Sequence, residues 1–359
     1  MKERNPPSER LQQPDPGRFV APARRPETGR LLRLPLELAD RALVAPGQHV
    51  ELGQPIIEHF REVEPVEVPT SASLIGLAPG SIVDHVPAEQ AGRLGRRASS
   101  ETYRARVCEH GRDGITRLAA GLGAVTVMAP ASGMVEAIAP ARLDLRVDGL
   151  AVDARVGWGR PAYGRIVVAV DDRADELRSS RIDAAAAGAI LVVGSRIDIE
   201  ALSRARALGV AAIIVGGVAS RDLRQLTSSE ARQQAALHGA VPFGLLGLGG
   251  YGRVPIPTQL WDLLVAADGR LAGLVPDARM LLIDGDPAPL LEAAARPPDT
   301  VRVVSGRQRD REGRLVGLSG PRRWPGGAYT PGGFVELPDA TGGELERHCV
   351  PLTVLERLG

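Results

Sequence analysis

Lysine is all but missing from this chain. Lys2 is the only one in 359 residues, so every other basic side chain is arginine. No interior lysine exists for a Schiff base, a P-loop, or a biotinyl or lipoyl attachment. Cysteine is nearly absent as well. Cys108 and Cys349 cannot build a disulfide framework, and nothing points to an oxidising compartment. An excess of one charge is also lacking: 44 Lys+Arg stand against 43 Asp+Glu, so the chain as a whole is not a general polyanion binder. Long apolar runs are missing too. Stretches such as Ala207 to Ala219 are too short and too glycine-rich to span a bilayer. The first 30 residues carry prolines and no apolar signal-peptide core. These absences predict a cytoplasmic protein without a membrane span. What is present is ordinary globular composition, 44% apolar and 24% charged, at a length that suggests two or three domains.

The expected class is a multidomain α+β protein. Residues 1–30, with seven basic residues against four acidic ones and little to bury, read as a disordered arm. Residues 31–160 read as a β domain. Apolar runs at Leu31–Leu38, Ala42–Val50, Pro55–Phe60, Val63–Val68 and Ser73–Leu77 are separated by turn residues such as Pro46-Gly47 and Pro79-Gly80. Within it, an arginine-rich connector at 88–121, with Arg93, Arg96, Arg97, Arg104 and Arg106, reads as a helix-turn segment or a loop. Residues 161–285 change period. Apolar runs at Ile166–Val170, Ala189–Val193, Ala211–Val215 and Phe243–Leu246 alternate with helical patterns near 176–187, 198–208, 220–237 and 258–267. Strands apolar throughout, separated by helices, predict a mostly parallel sheet covered on both faces. Leu271–Val275 and Met280–Ile283 add two short strands, and Ser220 and Thr258 are expected helix caps. Residues 286–300 read as a linker and 301–359 as a small β barrel.

Six stretches carry resemblances. VAPGQHVELGQPI (Val44 to Ile56), VEVPTSASLIGLAPG (Val66 to Gly80) and APASGMVEAI (Ala129 to Ile138) resemble biotinyl/lipoyl-like barrel-sandwich domains, including that of Rnf-type electron-transport subunits. The resemblance implies a fold. The hairpin has no lysine to carry biotin or lipoate, and two cysteines make no CxxCxxC cluster, so neither cofactor nor cluster is expected. VRVVSGRQRDREGRLVGL (Val301 to Leu318) looks like a KOW motif, with Asp310 where the motif has a glycine. CVPLTVLERLG (Cys349 to Gly359) and GLGGYGRVPIPTQLWDLL (Gly247 to Leu264) resemble segments of a bacterial family without an established activity. That family joins a barrel-sandwich-like domain, a central α/β domain and a C-terminal KOW-like barrel.

Candidate chemistry is sparse. Gly247, Gly249 and Gly252 spell G-x-G-x-x-G, but Pro255 and Pro257 delay the helix a pyrophosphate would need. If the sheet is parallel, Asp171, Asp172, Gly194, Ser195, Gly216, Gly217, Gly247, Gly249 and Gly252 gather at one edge. Such an edge suits a small anionic ligand. Cys108-x-His110 and His348-Cys349 lack a zinc-knuckle spacing, so no metal site is expected. No G-x-S-x-G occurs, and no catalytic residue is assigned. Residues 301–330 hold seven arginines against two acids, with Trp324 and Tyr329. Arg307, Arg309, Arg311, Arg314 and Trp324 are therefore the candidate nucleic-acid contacts. The leading expectation is a non-catalytic binding or assembly module with a protein partner. The alternatives are a nucleic-acid or ribosome-associated factor acting through the KOW-like tail, and an enzyme or sensor of a small anion at the glycine edge.

Overall fold

The computed structural model describes residues 20–23, 25–36, 40–78, 81–87, 102–111, 114–139, 141–225, 243–338 and 344–358. Residues 1–19 of the expected arm, the Pro79-Gly80 turn, Arg93, Arg96 and Arg97 of the connector, and the 226–237 part of the third helix lie outside them. The described chain is mostly strand, in several sheets with few helices, as a multidomain α+β protein should be. Among the described residues, no helix is long and apolar enough to cross a membrane.

The largest sheet has nine strands. Ala162–Val168, Ala189–Val192, Ala212–Val218 and Gly244–Tyr251 lie side by side, and each pairs with the next in parallel. The other pairings are antiparallel. Val156–Gly159 flanks Gly244–Tyr251, while Leu271–Val275, Met280–Ile283, Leu150–Asp153 and Glu27–Thr28 extend the opposite side. The expectation of a mostly parallel domain therefore holds for the four central strands and not for the sheet as a whole. Alternate residues go to opposite faces. Ile190, Val192, Ile214 and Leu246 pack with Leu263, Leu264 and Leu290 from helices Thr258–Ala266 and Ala288–Ala294. Leu191, Val193, Ile213 and Leu245 pack with Ala201, Leu202 and Ala205 of helix Ile199–Ala207. Each fully buried aliphatic side chain contributes roughly 1.5–3 kcal/mol, which is why these strands carry no polar alternation.

Several local expectations change. The 176–187 segment is not a helix. It forms a short strand, Glu176–Leu177, and two 3-10 turns, Ser179–Arg181 and Ala184–Ala186. Its alanine run offers no apolar stripe, and the Asp183 carboxylate accepts from Ala185 N–H at 3.0 Å, a local bond that competes with helix propagation. Thr258 is the first helical residue, preceded by Pro257 at the cap position. Ser220 likewise opens the helical segment 220–225. Ser73–Leu77 is a turn, closed by Leu74 and Ile75 N–H groups on the Ser71 carbonyl. The arginine-rich connector contains two strands, Thr102–His110 and Ile115–Met128. Thr102-Tyr103-Arg104-Ala105-Arg106-Val107 alternates in the manner of a half-buried strand, and the charges masked that period.

Two smaller sheets make the N-terminal β part. One orders Leu31–Pro35, Arg142–Val147, Gly133–Ala139 and His49–Val50, and its core shares Val275, Met280 and Leu282 with the central sheet. The other is built on the long antiparallel pair Pro55–Pro69 and Ile115–Met128. The C-terminal sheet has six strands. Thr300–Val303, Glu312–Arg323, Tyr329–Pro338 and Leu345–Pro351 follow one another, and Leu355–Arg357 and Ala21–Pro22 complete it. Val20 is buried in that last core and Ala21–Pro22 pairs with Leu355–Arg357, so residues 20–22 of the expected arm belong to this sheet. The expected linker 286–300 includes the helix Ala288–Ala294.

Candidate functional site

The glycine edge does assemble. The Gly194 carbonyl accepts from Gly216 N–H at 2.7 Å, and the Ser195 carbonyl accepts from Gly217 N–H at 3.2 Å and Val254 N–H at 3.3 Å. Asp172 closes a turn, its carboxylate accepting from Ala174 N–H at 2.8 Å, while Asp175 accepts from Asp172 N–H at 3.0 Å. Asp171 is exposed beside it. Gly194, Gly216, Gly217 and Gly249 are faced by the chain itself, whereas Gly252, at φ 96°, has nothing within 4 Å of where a Cβ would stand. A Cβ on Gly216 would lie 2.0 Å from the Val254 carbonyl, and one on Gly217 would lie 2.3 Å from that of Gly252. On Gly249 it would meet Val254 Cγ1 at 2.5 Å. Gly247 sits within its strand, paired with Val156 on one side and Val215 on the other. Ser195 is buried, and its hydroxyl donates to the carbonyls of Ala174 (2.7 Å) and Asp175 (3.1 Å).

Beside this packed edge lies a cleft of ≈ 380 Å³, lined by Arg178, Arg196, Arg253, Asp175, Glu176 and Asp198. Arg253 Nε is 3.1 Å from Glu176. Asp198 caps helix Ile199–Ala207 by accepting from Ala201 N–H at 2.8 Å. Arg196 Nη2 stands 3.7 Å from Asp222, which is buried with its Oδ2 lacking a hydrogen bond. The three arginines come from segments far apart in sequence. Nothing in local spacing marks them; only the parallel strand order places the residues after Val192 and Tyr251 together.

The C-terminal candidates divide. Arg314 donates to Glu336 at 3.1 Å, Arg309 lies 3.4 Å from Asp310, and Arg311 donates to Gln308. Arg302, of the same basic run, donates to Glu356 at 2.6 Å. Arg307 is exposed. Beyond them the long hairpin continues past the sheet. Tyr329–Pro338 pairs with Leu345–Pro351 only from Gly332 onward, and Glu312–Arg323 pairs with Thr300–Val303 only through Arg314. Residues 319–323 and 329–331 therefore have only each other as strand partners, although the Arg322 guanidinium also reaches Cys349 Sγ at 3.7 Å and the same thiol donates to Ser319 Oγ at 3.7 Å. The Arg322 guanidinium carbon lies 5.0 Å from the Trp324 ring centroid, and Trp324 Nε1 donates to the Thr330 carbonyl at 2.9 Å. Arg323 faces Tyr329 in register, and Tyr329 is 70% exposed. Of this group the sequence singles out Trp324. The stronger signal was the stretch 313–335, which contains no acid at all.

Cys108 and His110 stand on one sheet, and His348 and Cys349 on another. His110 is engaged by Thr116 at 2.9 Å and donates to the Leu77 carbonyl at 2.8 Å. No protein-family model matches the chain, and no curated protein matches it.

Proposed function

We propose that this chain is a non-catalytic binding module and that the projecting C-terminal ribbon is its docking element. One observation carries the reading. The ribbon 319–331 extends beyond its sheet with Arg322, Arg323, Trp324 and Tyr329 on it and no acidic residue in it. A two-stranded ribbon is marginal by itself, and this one is braced by a cation–π contact and by Trp324 packed over Gly332. The resemblances to a barrel-sandwich domain and a KOW-like barrel support a frame that presents such a hairpin. A chain with just two cysteines, placed on different sheets, suits a reducing, cytoplasmic setting. The test is capture from the native host's lysate by the full chain and by an Arg323→Ala/Tyr329→Ala variant. The variant should fold with an unchanged thermal midpoint and lose what the wild type retains. Equal capture by both places docking elsewhere.

A second reading rests on the cleft of Arg178, Arg196 and Arg253, in which Arg253 answers Glu176 and Arg196 stands near Asp222, so that Arg178 carries it. Guanidinium groups at the carboxyl ends of parallel strands suit a small anion. Inorganic phosphate at millimolar concentration should then raise the thermal midpoint of the wild type and not that of Arg178→Ala. No shift in the wild type removes this reading.

A further inference from the structure

We infer that the ribbon 319–331 binds single-stranded nucleic acid, with Tyr329 as a base-stacking platform and Arg322 and Arg323 as phosphate contacts. The inference rests on the docking reading and names its partner. Three features of the ribbon carry it.

The first is charge. Residues 313–335 contain Arg314, Arg322 and Arg323 and neither Asp nor Glu. Arg314, at the base, is neutralised by Glu336. The positive charge left uncompensated by the hairpin itself therefore sits at its far end. A polyanion is the complementary partner. The basic run 302–311 offers it less, because Arg302 and Arg309 are paired with acids and Arg311 donates to Gln308, which leaves the exposed Arg307 there.

The second is the aromatic arrangement. Tyr329 is the exposed aromatic of the ribbon, and its cross-strand neighbour is Arg323. Paired residues project from one face of a ribbon, so a ring and a guanidinium stand together there. Arg322 pairs with Thr330 and is two residues from Trp324, so the other face carries a second arginine–aromatic couple. An exposed ring beside a cation is what an unstacked base and its phosphate require. Duplex bases are already stacked on each other and offer no face to Tyr329.

The third feature is what the ribbon edges cannot do. Pro321, Pro325 and Pro331 remove backbone donors, and the register shifts between Ser319 and Arg322. Such an edge resists the addition of another strand. Recognition is thus left to the side chains.

The test uses the full-length protein and fluorescein-labelled U15 RNA, with the same sequence annealed to its complement as control, read by anisotropy. Single-strand affinity should fall roughly sevenfold between 50 and 200 mM NaCl, the loss expected for about two phosphate contacts. Tyr329→Ala should weaken binding by roughly 5- to 150-fold, the range for one stacked base. Tyr329→Phe should restore it, because stacking needs the ring and not the hydroxyl. Arg323→Ala should weaken binding and flatten the salt response. Absence of binding at 50 mM NaCl overturns the inference, as does Tyr329→Ala binding like wild type or duplex binding as tightly as single strand. If RNA fails to bind while the wild type, and not the double variant, retains a protein from host lysate, the docking reading stands and the nucleic-acid inference falls. If neither RNA nor protein is retained, both fall.

Discussion

The backbone N–H of Asp310 donates to the Val303 carbonyl at 2.7 Å, and Asp310 does this in the left-handed conformation, at φ 65°. The KOW-like pattern has glycine at this point, and the reason is visible: the turn needs a positive φ. Aspartate is among the few side chains that tolerate it. Asp310 is also partly buried, and burial pushes its carboxyl pKa up, although Arg309, Arg302, Arg173 and Arg155 pull it down. An acid with a raised folded pKa binds more protons folded than unfolded between the two values. Stability therefore falls as pH rises through that window and stays lower above it. Asp310→Asn, which keeps the tolerance for this conformation, should gain stability over wild type at pH 7 and not at pH 3. Urea unfolding at both values measures this. An equal gain at both would mean that the buried charge plays no part.

Glu336 shows the opposite sign. Hydrogen bonds from Arg347 and then Arg314 hold its carboxyl below the usual range. Its contribution is present above the ordinary glutamate pKa and is lost as pH falls through the depressed one. Both arginine partners are exposed, so the effect should be small and screened by salt. In Glu336→Gln the acid limb of the stability profile should be flatter at low ionic strength. The two profiles should converge near 1 M salt. A difference that persists there would indicate packing and not charge.

The parallel strands were legible because burial on both faces leaves a plain mark: Ala189 to Val193 and Ala211 to Val215 are apolar at every position. The ends of such strands were legible too, since glycine and aspartate cluster where backbone meets backbone. What those glycines do was not. The sequence offers Gly216 and Gly217 equally well to a ligand or to a neighbouring strand. Only the path of residues 252–256 decides that their own chain lies there. The cleft arginines were invisible for a related reason. Arg178, Arg196 and Arg253 are brought together by topology, and no local period links them. In the C-terminal sheet, counting arginines favoured the run 302–314. The acids that answer Arg302 and Arg314, Glu356 and Glu336, sit on other strands.

Gly216→Ala tests the close approach directly. Its Cβ would meet the Val254 carbonyl at 2.0 Å and the Ile256 nitrogen at 2.7 Å, both backbone atoms. Neither yields as a flexible side chain would. The strand must shift or the 252–256 segment must lift, and overpacking of this kind costs roughly 1–3 kcal/mol. Denaturant unfolding should show that loss. Proteolysis should reveal earlier cleavage near Arg253. A variant as stable as wild type would mean that the segment is not seated on the strand.

Ser195 is the one nucleophile candidate on that edge, and its surroundings argue for a structural part. A serine attacks only when a base within hydrogen-bond reach accepts its proton. Here the proton points to the carbonyls of Ala174 and Asp175, and neither can take it away. The hydroxyl instead ties the 172–175 turn to the end of strand Ala189–Val192. Ser195→Ala should therefore cost about 1–2 kcal/mol, since it removes the hydrogen bonds of a buried hydroxyl. A fluorophosphonate probe should leave the wild-type serine unmodified, as read by peptide mass spectrometry. Stoichiometric labelling of Ser195 would require a base that this geometry does not supply, and would return the edge to catalysis. Unchanged stability in the alanine variant would show instead that the turn is held by backbone bonds alone, chiefly Ser195 N–H to the Asp175 carbonyl at 2.7 Å.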